Sequence, residues 1–363
     1  METVKNTHPQ QSQQEVSNHP PIEFNDFLSR PLEELGLVKK LQDKPLVWLD
    51  CDQTVEDAFE KLSAQSILSL PVYCSISRQW ISILDIKDLV SYVVSLFDSN
   101  NNLIKSNEIS EYTIRDILTN QNGVFKRQCP MVTKSDSVLN LLELFNHNFH
   151  RICIAMNPYD QMDIKVLSQL SLLKWIDKNR NILGCSGDLT LESLNLFKKE
   201  QNLISISSSK LAIDAFRLMA EKNIYGLPVV NANGELVDNI SVIDLKYVKM
   251  DISKLLQPLS EFFYPSVGNS YPIPLRNPII CTPQTRLREA IGRVAAGKVH
   301  RIFLIKEVVE AGITQVPTRV ISVSDLVGQI ISLAGIQNDD YYEKKQQLLL
   351  SKQQEIDEKS KQD

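Results

Sequence analysis

Two dipeptides concentrate the polar chemistry of this chain. His150-Arg151 and His300-Arg301 each stand at the head of a short apolar run, and together they use two of the five histidines. Arg presents a planar fork of donors suited to an anion, and His adds a donor that responds to charge. Three aspartates, Asp88, Asp244 and Asp325, each follow a strand-like run and open a helix-like one, with Ser241, Ser322 and Ser324 close by. A carboxylate there can accept from paired hydroxyls, or it can simply sit well at the positive end of a helix dipole. The serines are equally well explained as helix caps.

Familiar catalytic templates are missing. The sequence has no G-x-S-x-G, H-E-x-x-H, G-x-x-x-x-G-K or G-x-G-x-x-G. With only 12 glycines, a phosphate would have to be held by side chains and helix ends. The 6 cysteines (Cys51, Cys74, Cys129, Cys153, Cys185, Cys281) are scattered without a C-x-x-C pair, which reads as reduced, half-buried thiols. His147 and His150 lack a third ligand at metal spacing, so no metal is expected. The reading is therefore not an enzyme of a common motif class.

Charge and hydropathy narrow the class further. The 39 basic and 44 acidic residues of the 363 give a net charge of -5, against a nucleic-acid or anionic-membrane partner. No apolar run approaches the roughly 18 residues of a membrane span. The opening METVKNTHPQQSQQEV lacks a basic region followed by an apolar one. A soluble intracellular protein, cytoplasmic and/or nuclear, is expected.

The elements that must position these residues repeat. The apolar runs 67–74, 150–156, 225–231 and 300–306 share one shape. Each is preceded by an amphipathic helix pattern (54–64, 135–148, 208–223, 285–298) and followed by a second strand and a helix start (80–90, 164–176, 236–248, 318–330). A short strand ending in a polar turn precedes each first helix, so the unit is β-α-β-β-α, repeated at about 70–85 residues. In the third unit Leu211, Ala215, Leu218 and Met219 form the expected core stripe, and Ser207–Ser209 offer a cap. Asp52 and Thr54, Ser135 and Asp136, and Thr282 are the corresponding expectations elsewhere, with Pro283 suited to a first helical turn. One unit alone has a marginal core, so tandem pairing is expected.

This unit, ending in small/apolar–Ser/Thr–x–x–Asp–apolar, resembles the cystathionine-β-synthase (CBS) domain, two of which form a Bateman module. Four copies without a catalytic domain resemble the γ regulatory subunit of AMP-activated/SNF1-type protein kinases, through VHRIFLI with ISVSDL, FHRICIA with LSLLKWI, and GLPVV with LVDNISVIDL. The resemblance covers roughly residues 24–335. It implies an α/β (α+β) fold of four tandem CBS units in two Bateman modules, with no cofactor but AMP, ADP or ATP as ligand. It also implies kinase catalytic (α) and scaffold (β) subunits as partners.

By the same resemblance, Asp88, Asp244 and Asp325 match the ribose-binding carboxylate, with Ser171 at that place in the second unit. His150, Arg151, His300 and Arg301 match phosphate-binding positions, Ser241, Ser322 and Ser324 match phosphate or ribose contacts, and Thr282 lies where backbone meets the adenine edge. Two departures weaken the set: Leu68 replaces a basic residue in the first unit, and Gln169-Leu170-Ser171 lacks a lysine in the second. The fourth unit is the most complete. A rival reading is a CBS-built scaffold with degenerate pockets.

The expected boundaries are a disordered stretch 1–20, a pre-CBS segment 21–44, units at 45–98, 111–180, 188–250 and 251–335, and a charged tail 338–363. Segment 21–44 could pack on the first pair or approach a partner. Residues 97–110 read as a linker and 258–278 as an inserted loop.

Overall fold

The computed structural model describes residues 24–42, 45–65, 67–104, 112–120, 125–126, 128–147, 149–157, 159–196, 203–248, 251–263, 277–308 and 314–335. The expected disordered N-terminus and charged tail, with most of 258–278, lie outside them. Two helices lead in, α1 (Phe24–Ser29) and α2 (Gly36–Gln42). The first repeat runs β1 (Leu49–Asp50), α3 (Val55–Ala64), β2 (Ser69–Cys74), β3 (Gln79–Asp85), α4 (Ile86–Ser95). After α5 (Ile114–Leu118) comes β4 (Met131–Thr133), α6 (Val138–Asn146), β5 (Arg151–Asn157), β6 (Asp160–Ser168), α7 (Gln169–Lys178). A 3-10 stretch, Arg180–Asp188, leads to β7 (Ile206–Ser207), α8 (Ala212–Glu221), β8 (Gly226–Val230), β9 (Leu236–Ser241) and a closing 3-10 helix, Val242–Tyr247. A further 3-10 turn (Ile252–Leu256) and α9 (Leu259–Phe263) precede β10 (Ile280–Cys281), α10 (Leu287–Gly297), β11 (Arg301–Val308), β12 (Thr314–Ser322) and α11 (Val323–Leu333).

The result is an α+β fold of repeating β-α-β-β-α units. Each forms a three-stranded sheet whose first strand pairs parallel and whose last pairs antiparallel with the middle one. The physical logic shows in α6, where Val138, Leu141, Leu142 and Phe145 recur at i, i+3, i+4, i+7 and are all buried. The first helices begin later than expected. Thr54 does cap α3 through Asp57 N, but Ser137 rather than Ser135 or Asp136 caps α6, and α10 starts at Leu287. The upstream polar residues are consumed in the turn leaving the first strand: Thr133 N donates to Asp136 Oδ2 at 2.6 Å, and Thr282 N to Thr285 Oγ1 at 3.0 Å. In α8 the buried stripe is Ala212, Ala215, Phe216 and Met219; Leu211 and Leu218 are only partly buried, and Ser207–Ser209 precede the helix by too far to cap it.

Apolar side chains gather into two cores. One unites α1 and α2 with the second and fourth repeats, including Phe27, Leu141, Leu172, Ile302 and Leu326. The other unites the first and third repeats with α5 and α9, including Leu49, Leu89, Ile114, Phe216 and Leu259. Lead segments cross between neighbours in a regular way. Isolated bridges join Pro31 to Ser137, Thr113 to Thr54, Thr190 to Arg286 and Pro258 to Leu211. Thus the segment before the first repeat covers the second, and the segment before the second covers the first; the third and fourth exchange segments likewise. Segment 24–42 is part of a core, with Phe27 stacked 5.3 Å from Trp175.

Candidate functional site

Sheet register aligns the four repeats residue by residue. The middle strand opens at Ser69, Arg151, Gly226 and Arg301, which pair across the hairpin with Asp85, Ser168, Ser241 and Ser322. The preceding residues are Leu68, His150, Tyr225 and His300. The second and fourth repeats therefore carry His-Arg where the first and third carry a residue followed by a small one. Where Arg301 enters, a Cβ on Gly226 would overlap its guanidinium. Arg301 is buried, and its Nη2 donates to Tyr225 O at 2.6 Å.

These four strand openings, with the helix starts beside them, line one central cavity of about 660 Å³. It brings together His150, Arg151, His300, Arg301, Ser322, Ser324 and Asp325 from the sequence-derived set. It does not include the other four. Asp244 and Ser241 are buried beyond its lining, joined by a Ser241 N to Asp244 Oδ2 bond of 2.7 Å. Asp88 lines a separate cleft of about 790 Å³ beside α5. Thr282 is exposed in the turn before α10 and lines no part of the central cavity.

All three aspartates act as helix caps. Asp88, Asp244 and Asp325 each accept the backbone N–H three residues earlier, at 2.8, 2.7 and 2.7 Å. Only Asp325 combines this with an exposed position in the cavity wall, its Oδ2 also accepting Ser322 Oγ at 2.7 Å. Its Oδ1 points to no protein donor among the described residues.

Other lining residues carry signals the motif pattern did not supply. Ser324 Oγ donates to Gln169 Oε1 at 2.8 Å and lies 3.1 Å from His150 Nδ1, tying the fourth repeat to the second. Gln169, next to Leu170 where the resemblance marks a lost lysine, is a buried bridge that also donates to Phe149 O at 3.2 Å. His150 packs edge-on to Tyr225, ring centroids 4.7 Å apart. Arg151 pairs with Asp85 at 2.7 Å, a contact that no strand or helix pattern announces.

The electrostatics favour neutral histidines. Burial, reinforced by Arg151, Arg301, His150 and Lys174, pushes His300 down to about 3. Burial also lowers His150, partly opposed by Asp85. The Arg301 guanidinium is lowered to about 10 by burial, with Asp244 opposing, and so stays charged near neutrality. The cavity thus offers arginine cations and neutral imidazoles: a site for an anion with adjacent polar and apolar surface. Among the described residues, the one close group of potential metal ligands is Asp50, Cys51 and Asp52, away from this cavity. Its carboxylates are already engaged, Asp50 by Ser75 N and Asp52 by Arg115.

Residues 199–251, which span β7 to the closing 3-10 helix of the third repeat, match the family model for the CBS domain. The chain contains a CBS domain. CBS-domain proteins of this structural class are in general non-catalytic regulatory modules. Along most of its length the chain is related, at low identity, to two kinds of curated protein. It is 24% identical over 302 residues to Protein SDS23 of Yarrowia lipolytica, covering 76% of this chain and 58% of that one. It is 26% identical over 304 residues to 5′-AMP-activated protein kinase subunit gamma-3 of Bos taurus, covering 80% of this chain and 57% of that one. The chain thus spans less than two thirds of these curated relatives.

In three dimensions it resembles a crystal structure from Methanocaldococcus jannaschii, described as an archaeal homologue of γ-AMPK, with a TM-score of 0.58 and 15% identity. That match covers 80% of this chain and 98% of the archaeal one, and at this identity it bears on the fold alone. Among the described residues no helix is long and apolar enough to cross a membrane.

Proposed function

We propose that this chain is a non-catalytic regulatory protein of four CBS units, paired first with second and third with fourth as two Bateman modules. Its central cavity takes an adenine nucleotide, AMP, ADP or ATP. Occupancy biases a partner assembly, of which kinase catalytic (α) and scaffold (β) subunits are the leading candidates, in the cytoplasm, the nucleus or both. The observation that carries this reading is the convergence of His150, Arg151, His300, Arg301, Ser324 and Asp325 on one cavity of about 660 Å³. That volume suits a small organic ligand, for which sites are typically about 300–1,000 Å³. Asp325 supplies an acceptor for ribose hydroxyls and the arginines supply phosphate donors.

The relatives support the regulatory sense, since one of them is named for a kinase that AMP activates. Regulation further requires that the ligand bind two states of the assembly unequally, because equal affinity shifts nothing.

A second reading, a CBS-built scaffold whose pockets no longer take nucleotide, is favoured by one observation: Arg151 is already paired within the chain. Calorimetric titration with AMP and ATP decides between them, run on the full chain and on Asp325→Ala and His300→Ala. Saturable binding that weakens about tenfold or more in both variants supports the sensor. No heat and no thermal shift with either nucleotide leaves the scaffold.

A further inference from the structure

Asp85 breaks a pattern that the other three repeats keep. At the register position that closes the hairpin and caps the final helix, the repeats read Asp85, Ser168, Ser241 and Ser322. Asp85 does cap, its Oδ1 accepting Lys87 N at 3.0 Å. Serine is an equally good cap, and Ser168 and Ser322 do the same work with a neutral hydroxyl. Capping therefore does not account for the charge.

What the carboxylate adds is its other oxygen. Oδ2 lies 2.7 Å from Arg151 Nη1, with the two side chains 8% and 12% exposed, in the wall of the central cavity. The equivalent arginine of the other pair feels a carboxylate too, Asp244, but that group is buried outside the cavity lining. Arg301 enters beside Gly226, whose register partner is Ser241, and donates to a neutral acceptor, Tyr225 O, at 2.6 Å. The two arginines related by the repeat thus differ in where the carboxylate stands: that of Arg151 is an ion-pair partner in the cavity wall, that of Arg301 lies outside it.

We infer that Asp85 is a resident anion that sets the charge selectivity of the cavity. It holds Arg151 when no ligand is bound and competes with an entering phosphate for the same guanidinium. This inference rests on the nucleotide reading above. A phosphate reaching Arg151 either displaces the carboxylate or shares the arginine with it. In both cases two anions stand within a few ångströms at low dielectric, and their repulsion grows with ligand charge. The cavity consequently favours a monophosphate over a triphosphate by more than it would with serine at this position. Ligand entry also perturbs the start of α4, because the displaced group is that helix's cap.

The test is calorimetric titration of the full chain, Asp85→Asn and Asp85→Ser with AMP and with ATP. Asn keeps the size and the cap; Ser is the residue of the other repeats and serves if the Asn variant folds poorly. The expected result is tighter binding of both nucleotides, by about tenfold or more for ATP and by less for AMP. Adding Arg151→Gln to Asp85→Asn should abolish the gain. A wild-type chain that is silent while the variants bind also supports the inference, as complete occlusion. If the wild type binds AMP and the variants bind no tighter, or gain no more for ATP than for AMP, the inference is overturned while the nucleotide reading stands. If neither wild type nor variants bind, both fail.

Discussion

The guanidinium of Arg301 occupies the space in which a side chain on Gly226 would stand. The two residues belong to different repeats, 75 positions apart, and each accounts for the other: an arginine from the fourth repeat enters only because the third offers no Cβ there. The backbone beside it is equally close, with Ile240 O 2.8 Å from the point a Cβ would reach.

Gly226→Ala should therefore displace Arg301 as well as crowd the strand. A loss of about 1–3 kcal/mol in folding stability is expected from overpacking, read from the denaturant midpoint. A variant as stable as the wild type would mean that Arg301 is not locked between the repeats.

Phe27 tests whether the lead segment belongs to the fold. It is fully buried and stacked on Trp175. Truncation to Ala should cost ~3–5 kcal/mol, the range for a buried aromatic. A loss below about 1 kcal/mol would place α1 outside the cooperative core.

The Ser324–Gln169 bond joins the fourth repeat to the second across the cavity. A double-mutant cycle with Ser324→Ala and Gln169→Leu should return a coupling of about 0.5–1.5 kcal/mol, as for one neutral hydrogen bond. Additive effects would show that the bond contributes nothing to holding the repeats together.

Acid should destabilise the chain through its histidines. His300 has a folded value of about 3, below the usual 6.5, so the unfolded chain binds its proton first. Its contribution is fully present above about 6.5 and declines as pH falls toward about 3, at up to about 1.4 kcal/mol per pH unit. His150, lowered in the same direction, adds to the slope. His300→Gln should flatten stability between pH 6.5 and 4, measured by chemical denaturation at each pH. An unchanged profile would refute the neutral, buried state of this side chain.

Much of this was legible from residues alone. The β-α-β-β-α unit was readable because strand and helix impose different periods on apolar positions, and repetition made each copy check the others. The His-Arg pairs stood out for the same reason, as rare residues at one place in two copies. Helix starts were less legible: Thr133, Asp136 and Thr282 have capping chemistry, but they spend it in a turn before the helix begins.

What the sequence by itself determined is the repeating unit, its apolar faces, and which residues head each strand; these follow from local periodicity and from short-range hydrogen bonding. Only the tertiary structure decided which of those residues share a space. Crossing lead segments and helix packing bring four strand openings around one cavity, while Asp244 is buried beyond its wall and Asp88 is turned to another cleft. The pairing of Asp85 with Arg151, 66 positions away, and the fit of Arg301 against Gly226 lie in the same class. No local rule encodes them, because each depends on how two repeats distant in sequence pack together.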